Sequence, residues 1–236
     1  FSVPEAEQWN ERLDAVLSTI YVIFTTGYLT NDDVNRNLCQ EALFLVRLLD
    51  KLRPEDPEIE GALALMLLTD ARRAARIGSD GASLPVAEQD RAVWNEAFIE
   101  EGQGLLLKAM SRKLPGPFQI KAAIADCHMC DPAPDWKQMC LLFQTLWRHE
   151  PTPVVALNWA VVMGEVGQEK FAMQKLNELQ NDLSDFQPFY AARANILVKL
   201  DRNKEALADY HIAIEKAPND SSRIFLEKMR NKLEQT

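Results

Sequence analysis

The C-terminal half of the chain aligns on itself with a period of 33 to 34 residues, and a period of that length leaves few architectures open. The clearest copy runs from Gln187 to Asp220, with Tyr190 and Ala194 on a first helix, Ala206, Tyr210 and Ala213 on a second, and Pro218 as a stop. Stepping back 34 positions lands on Ala156, Ala160, Ala172, Leu176 and Leu179. A further step of 33 gives Ala123, Cys127, Met139, Phe143 and Leu146, with Pro151 closing that copy. The small residues stand where two antiparallel helices approach most closely, and a bulky residue four places on fills the gap beside them. Ser221 to Leu233 then reads as a capping helix with Ile224, Phe225, Met229 and Leu233 turned inward.

This spacing resembles the tetratricopeptide repeat, with copies at about 120–152, 153–186 and 187–220 and a cap at 221–233. The resemblance implies an all-α helical-repeat array whose inner face is lined by first-helix residues between the packing positions. Lys121, His128, Asn158, Asn195 and Lys199 fall on that face. Asparagine suits an extended peptide because its amide both donates to and accepts from a backbone.

The N-terminal half is helical too, without the repeat. Leu13, Val16, Leu17, Ile20 and Phe24 recur at three and four residues, as do Leu38, Ala42, Leu45, Val46, Leu49 and Leu52. Ile59 to Leu68 is apolar nearly all round, the mark of a helix buried on several sides, with Asp56 as its N-cap and Pro57 in its first turn. Asp80-Gly81 predicts a short hairpin or loop at 77–86. Helical periodicity resumes from Glu88 to Lys113, where Gly102 and Gly104 would permit close helix packing. Leu114-Pro115-Gly116-Pro117 ends it. The reading is therefore a linker at 1–7, a helical subdomain at 8–114 and the repeat array at 115–236.

Charge narrows the function. Thirty-five acidic residues against 26 basic give a formal charge of −9, a poor balance for sequence-independent binding of nucleic acid. No apolar run is long enough to span a membrane, no signal peptide opens the chain, and four cysteines do not make a disulfide scaffold, so the expected compartment is a reducing cytoplasm. Phe1 in place of an initiator methionine suggests a piece of a longer polypeptide.

Enzyme signatures are missing from the sequence: there is no phosphate-cradling Gly-Lys-Ser/Thr loop and no Gly-x-Ser-x-Gly elbow. The expectation is a non-enzyme without a cofactor. Cys127, Cys130, Cys140 and His149 have the chemistry of four zinc ligands. Cys127 nevertheless sits at a small-residue place of the repeat, and a helix through Cys127 and Cys130 would not aim both thiolates at one point, so buried core thiols are the favoured reading. Arg72, Arg73 and Arg76 follow the buried helix near Asp70, Asp90 and Arg91. They read either as an internal ion-pair network or as an anion or partner contact. Trp94 and Trp159 read as core residues or as partner anchors.

Several longer stretches resemble one family. They are Arg12-Leu13-Asp14-Ala15-Val16-Leu17 with Ile20 to Phe24 and Gly27-Tyr28; Leu65 to Leu68 running into Asp70-Ala71-Arg72-Arg73 and Ala75-Arg76; and Gln89-Asp90-Arg91 with Trp94. Gly116 to Gln119 with Ala122 to Ala125, and Pro153 to Asn158, complete the set. Together they resemble the tetratricopeptide-like C-terminal extension of bacterial extracytoplasmic-function RNA polymerase sigma factors of the sigma-70 family. Two positions depart: Thr25-Thr26 stands where that family has an Asn-Glu pair, and Trp159 where it has a basic residue. The resemblance implies a regulatory domain that docks on the sigma factor's own DNA-binding domains or on core RNA polymerase. Promoter DNA would be read only by N-terminal domains outside this chain. The alternative is a free-standing helical-repeat adaptor for a partner protein or peptide. A homodimer through the repeat surface and an exposed Trp159 is compatible with either reading.

Overall fold

The computed structural model describes residues 8–29 and 33–235, so the expected linker at 1–7 lies outside the described residues. Most of the helical spacing becomes helix, and no β-strand forms among the described residues. The helices are α1 (Gln8–Leu29), α2 (Asp33–Leu52), α3 (Pro57–Asp70), α4 (Glu96–Ser111), α5 (Pro117–Cys127), α6 (Trp136–His149), α7 (Pro153–Glu165), α8 (Glu169–Glu178), α9 (Gln187–Lys199), α10 (Asn203–Glu215) and α11 (Asp220–Glu234). They gather into two compact units, Phe1–Arg73 with Val93–Asp126, and Ala74–Ala92 with Cys127–Thr236.

In the first unit α3 is the hub. Asp56 caps it, its carboxylate accepting from the N–H groups of Glu58 (3.0 Å) and Ile59 (3.3 Å), and every residue from Ile59 to Leu68 is buried. Burying a leucine or isoleucine fully contributes roughly 1.5–3 kcal/mol, so this helix carries much of the unit's stability. One of the buried residues is charged. Glu60 is 0% exposed and meets Lys108 at 2.8 Å and Arg112 of the α4 C-cap, a pairing that a carboxylate removed from water requires. Gly102 on α4 allows close approach, since a Cβ there would stand 2.9 Å from Leu68, whereas Gly104 is exposed and has no neighbour within 4 Å among the described residues.

The helix expected from Glu88 begins only at Glu96. Asn95 caps it by accepting from the Phe98 N–H (3.1 Å), and Asp90 has already turned the chain by accepting from the Ala92 N–H (2.9 Å). After Pro115 the chain does not leave the first unit. The Glu58 carboxylate on α3 accepts from the N–H groups of Phe118 (2.9 Å) and Gln119 (3.2 Å), capping α5 from another helix. Gly61 lets α5 sit there, because a Cβ would lie 2.7 Å from the Gln119 backbone nitrogen. The expected division at 114–115 thus falls within the span of the first unit, which runs on to Asp126.

The second unit contains α6 to α11. Two repeats lie wholly within it, α7 with α8 and α9 with α10. Ala160, Ala172, Ala194, Ala206 and Ala213 are all 0% exposed, so backbones meet where the small residues recur. Gly164 extends the close contact of α7 with α9, since a Cβ would strike Ile196. The cap α11 buries Leu226 most deeply, with Phe225, Met229 and Leu233 packed on the same cluster as Tyr210 and Ala213.

The stretch 74–92 joins this unit rather than the one that flanks it in sequence. Ile77 and Ser83 form an isolated antiparallel bridge, and Gly81 adopts φ 81 between them. The loop then covers α11: the Ser83 N–H donates to the Ser221 carbonyl (3.0 Å) and Lys228 pairs with Asp80. Arg91 closes the other end, donating to the carbonyls of Met129 (3.3 Å) and Cys130 (2.5 Å).

Candidate partner-binding groove

The residues expected on one inner face have separate fates. Lys121 lies in the first unit, its ammonium 5.0 Å from the Phe118 ring and 5.7 Å from that of Tyr21. His128 is in the turn after α5, edge-on to Trp136 at 5.9 Å. Lys199 at the end of α9 donates to the Gly164 carbonyl (3.0 Å) and pairs with Glu165 (2.7 Å), so it ties α9 to α7. Asn158 is exposed on α7 and Asn195 is half-buried on α9.

Trp159 is half-buried, contrary to the exposure expected of it, and Lys175 lies over its ring at 4.6 Å while also 5.2 Å from Trp147. Trp94 is buried. The three arginines are divided as well. Arg72 and Arg73 belong to the first unit, where Arg73 donates to Asp70 (2.6 Å) and lies 5.6 Å from the Tyr28 ring. Arg76 belongs to the second, its carbonyl accepting from the Leu84 N–H (2.8 Å).

Cys127 is the last residue of α5 and is buried, but Cys130 is exposed in the loop beyond it rather than on the helix. The chain turns back there, the Asp135 N–H closing on the Cys127 carbonyl at 3.0 Å. Cys140 and His149 stand at opposite parts of α6, about 13 Å apart along its axis, too far for one tetrahedral ion. Among the described residues no three His, Cys, Asp or Glu side chains converge as a metal site requires.

What the second unit does form is a groove where α8 faces the α9–α10 turn. One cavity of about 600 Å³ is lined by Lys170, Met173, Gln174, Asn177, Glu178, Leu200 and Arg202. A second of about 320 Å³ shares Met173, Asn177 and Arg202 with it and reaches Gln180, Arg193, Leu197 and Asp209. The floor is apolar, with Met173 9% and Leu197 2% exposed, and the rim carries amides and charges of both signs.

The far wall is braced by paired side chains. Arg193 makes a forked contact with Asp209, both N–H···O distances 2.6 Å, and lies over the rings of Phe189 (5.1 Å) and Tyr190 (5.5 Å). The hydrogen bond to Asp209 raises the Arg193 pKa, so the guanidinium stays charged. Arg202 is held by Glu205 in the same forked way at 2.7 Å. This groove lies away from the first-helix residues that the repeat spacing singles out. Gln174 and Asn177 are on a second helix, and two amides one turn apart on an exposed face were the signal available.

Residues 12–110 match a family of unknown function, DUF6596. A curated and uncharacterized protein of Rhizobium meliloti (strain 1021) is 37% identical over 232 residues, covering 96% of this chain and 55% of the relative. The chain therefore spans about half the length of that relative. Among solved structures, a thermophilic tetratricopeptide-repeat protein of Thermus thermophilus aligns with a TM-score of 0.54 at 18% identity, over 85% of this chain and 92% of its own. That likeness shows the fold: an all-α helical repeat.

Proposed function

We propose that the chain is a protein-interaction domain, non-catalytic, whose second unit holds an extended segment of a partner polypeptide in the α8–α10 groove. The groove's make-up carries the proposal. Met173 and Leu197 offer an apolar floor for alternate side chains, while Gln174 and Asn177 present amides that pair with a peptide backbone in both directions. The forked Arg193–Asp209 pair fixes the wall without consuming those amides. Selecting binders from a displayed library of unstructured peptides tests this. Peptides that bind the wild-type chain and lose about tenfold or more in affinity on Asn177→Ala with Gln174→Ala support it. Peptides that bind both forms equally overturn it.

A finer reading names the partner. The motifs from Arg12 to Asn158 resemble the tail of an extracytoplasmic-function sigma factor, and the Rhizobium relative has room for further domains. On this reading the domain works in the cytoplasm and controls transcription initiation by docking on the sigma DNA-binding domains or on core polymerase. Transcription by the full-length protein is then altered when the region matching this chain is deleted. Unchanged transcription from the cognate promoter, with no binding of the isolated chain to polymerase, removes the sigma reading and leaves the peptide-binding one standing.

A further inference from the structure

Helix α2 carries an apolar stripe on the side away from its core. Cys39, Ala42, Leu43 and Val46 are buried, while Phe44 is 61%, Leu48 42% and Leu52 73% exposed. Phe44 and Leu48 are flanked by exposed charges of opposite sign, Glu41 and Lys51. The four positions 41, 44, 48 and 51 are spaced by three, four and three residues, the spacing of one coiled-coil seam.

We propose that this face binds a second copy of the same chain, with the two α2 helices antiparallel. The stripe is self-complementary about the level of Val46. A two-fold axis there sets Phe44 against the partner's Leu48 and Leu48 against the partner's Phe44. The same axis sets Glu41 against the partner's Lys51 at each end, so both charges are matched twice. A parallel pair would oppose Glu41 with Glu41 and Lys51 with Lys51, which repels at both ends. The sequence thus disfavours the parallel alternative by charge alone. Residues 41 to 51 span about 15 Å of helix, a short seam, so the expected dimer is weak and forms only at high protein concentration.

Sedimentation equilibrium on the full chain, from about 1 µM to 1 mM, decides the matter. The wild type is expected to pass from monomer to dimer across that range. Glu41→Lys and Lys51→Glu each place like charges opposite one another, and each is expected to weaken the dimer by about tenfold. Combining E41K with K51E restores the wild-type constant, because the reversed pairs match again. Both positions are exposed, so far-ultraviolet circular dichroism should show unchanged helix in all three variants. A wild type that stays monomeric at 1 mM overturns the proposal. So does a dimer indifferent to either single reversal, or a double reversal that fails to recover it.

Discussion

In the first unit α3 is enclosed by its neighbours, and its specificity comes from single, unrepeated devices: a buried Glu60 answered by Lys108 and Arg112, a Glu58 carboxylate capping α5, and a glycine where α5 crosses. The second unit uses one device several times. Small residues at matched places of α7 to α10 bring helix pairs together, and each pair rests on the next. Damage to a hub is felt by everything docked on it, whereas damage to a stack is felt first by nearest neighbours. The exposed apolar surface is also uneven. Among the described residues, Val22, Phe44, Leu52, Leu107 and Leu114 of the first unit exceed 60% exposure and Leu29 stands at 60%, against Phe171 above 60% and Leu141 at 60% in the second.

The sharpest way to break the comparison is Arg112→Met. It leaves the fully buried Glu60 with Lys108 alone, and the expected cost is about 4 kcal/mol, within the range for breaking a buried ion pair. Hydrogen exchange read by peptide should show lost protection along α3, α4 and α5 together; loss confined to α4 would mean that α3 is not a hub. Next is Leu176→Ala in the stack, expected to cost about 3 kcal/mol for a 0% exposed leucine. Its protection loss should be greatest in α7, α8 and α9, and equal loss across α11 would show the stack to be one cooperative block.

Gly61→Ala comes third. Alanine gains about 1 kcal/mol of helix propensity, but its Cβ would meet the Gln119 backbone, and a net loss of about 2 kcal/mol in chemical denaturation follows. A stabilised variant would refute the close crossing of α3 and α5.

The smallest effects distinguish the units by pH. Burial, followed by the Glu60 charge, raises the Asp50 pKa in the first unit. Asp50 thus contributes stability below the ordinary carboxylate range, near 3.9, that is lost as pH rises through its folded value. Asp50→Asn should therefore be more stable than wild type at neutral pH, the two converging in acid. Asp80 in the second unit is lowered by its hydrogen bond to Lys228, so its contribution is present at neutral pH and lost as pH falls through the folded value. Asp80→Asn should be the less stable form at pH 7. Denaturant midpoints from pH 3 to 7 give both signs, and a shared sign would contradict the assigned partners.

How much of this could be read in advance varies residue by residue. Asp56, Pro57 and the apolar run after them announced a capped, enclosed helix, because capping and all-round hydrophobicity are local properties of a few consecutive residues. The alanines at 160, 172, 194, 206 and 213 announced helix pairs, because a repeat writes the same packing requirement several times. The groove was not visible, since Gln174 and Asn177 acquire a floor only when Met173 and Leu197, from helices of different repeats, come together.

By itself, then, the sequence determined helices, their repeat in the second half, and the absence, among the described residues, of any helix long and apolar enough to cross a membrane. Periodicity and capping act over three to four residues, or over one repeat, and need no knowledge of distant chain. Only the tertiary structure decided that α5 docks on α3 through Glu58, that residues 74–92 cover α11 from 148 positions away, and that Lys199 is spent on Gly164 and Glu165. Those choices depend on which buried carbonyl, carboxylate or N–H finds its partner, and a polar group taken from water accepts whichever partner the packed backbone brings within reach.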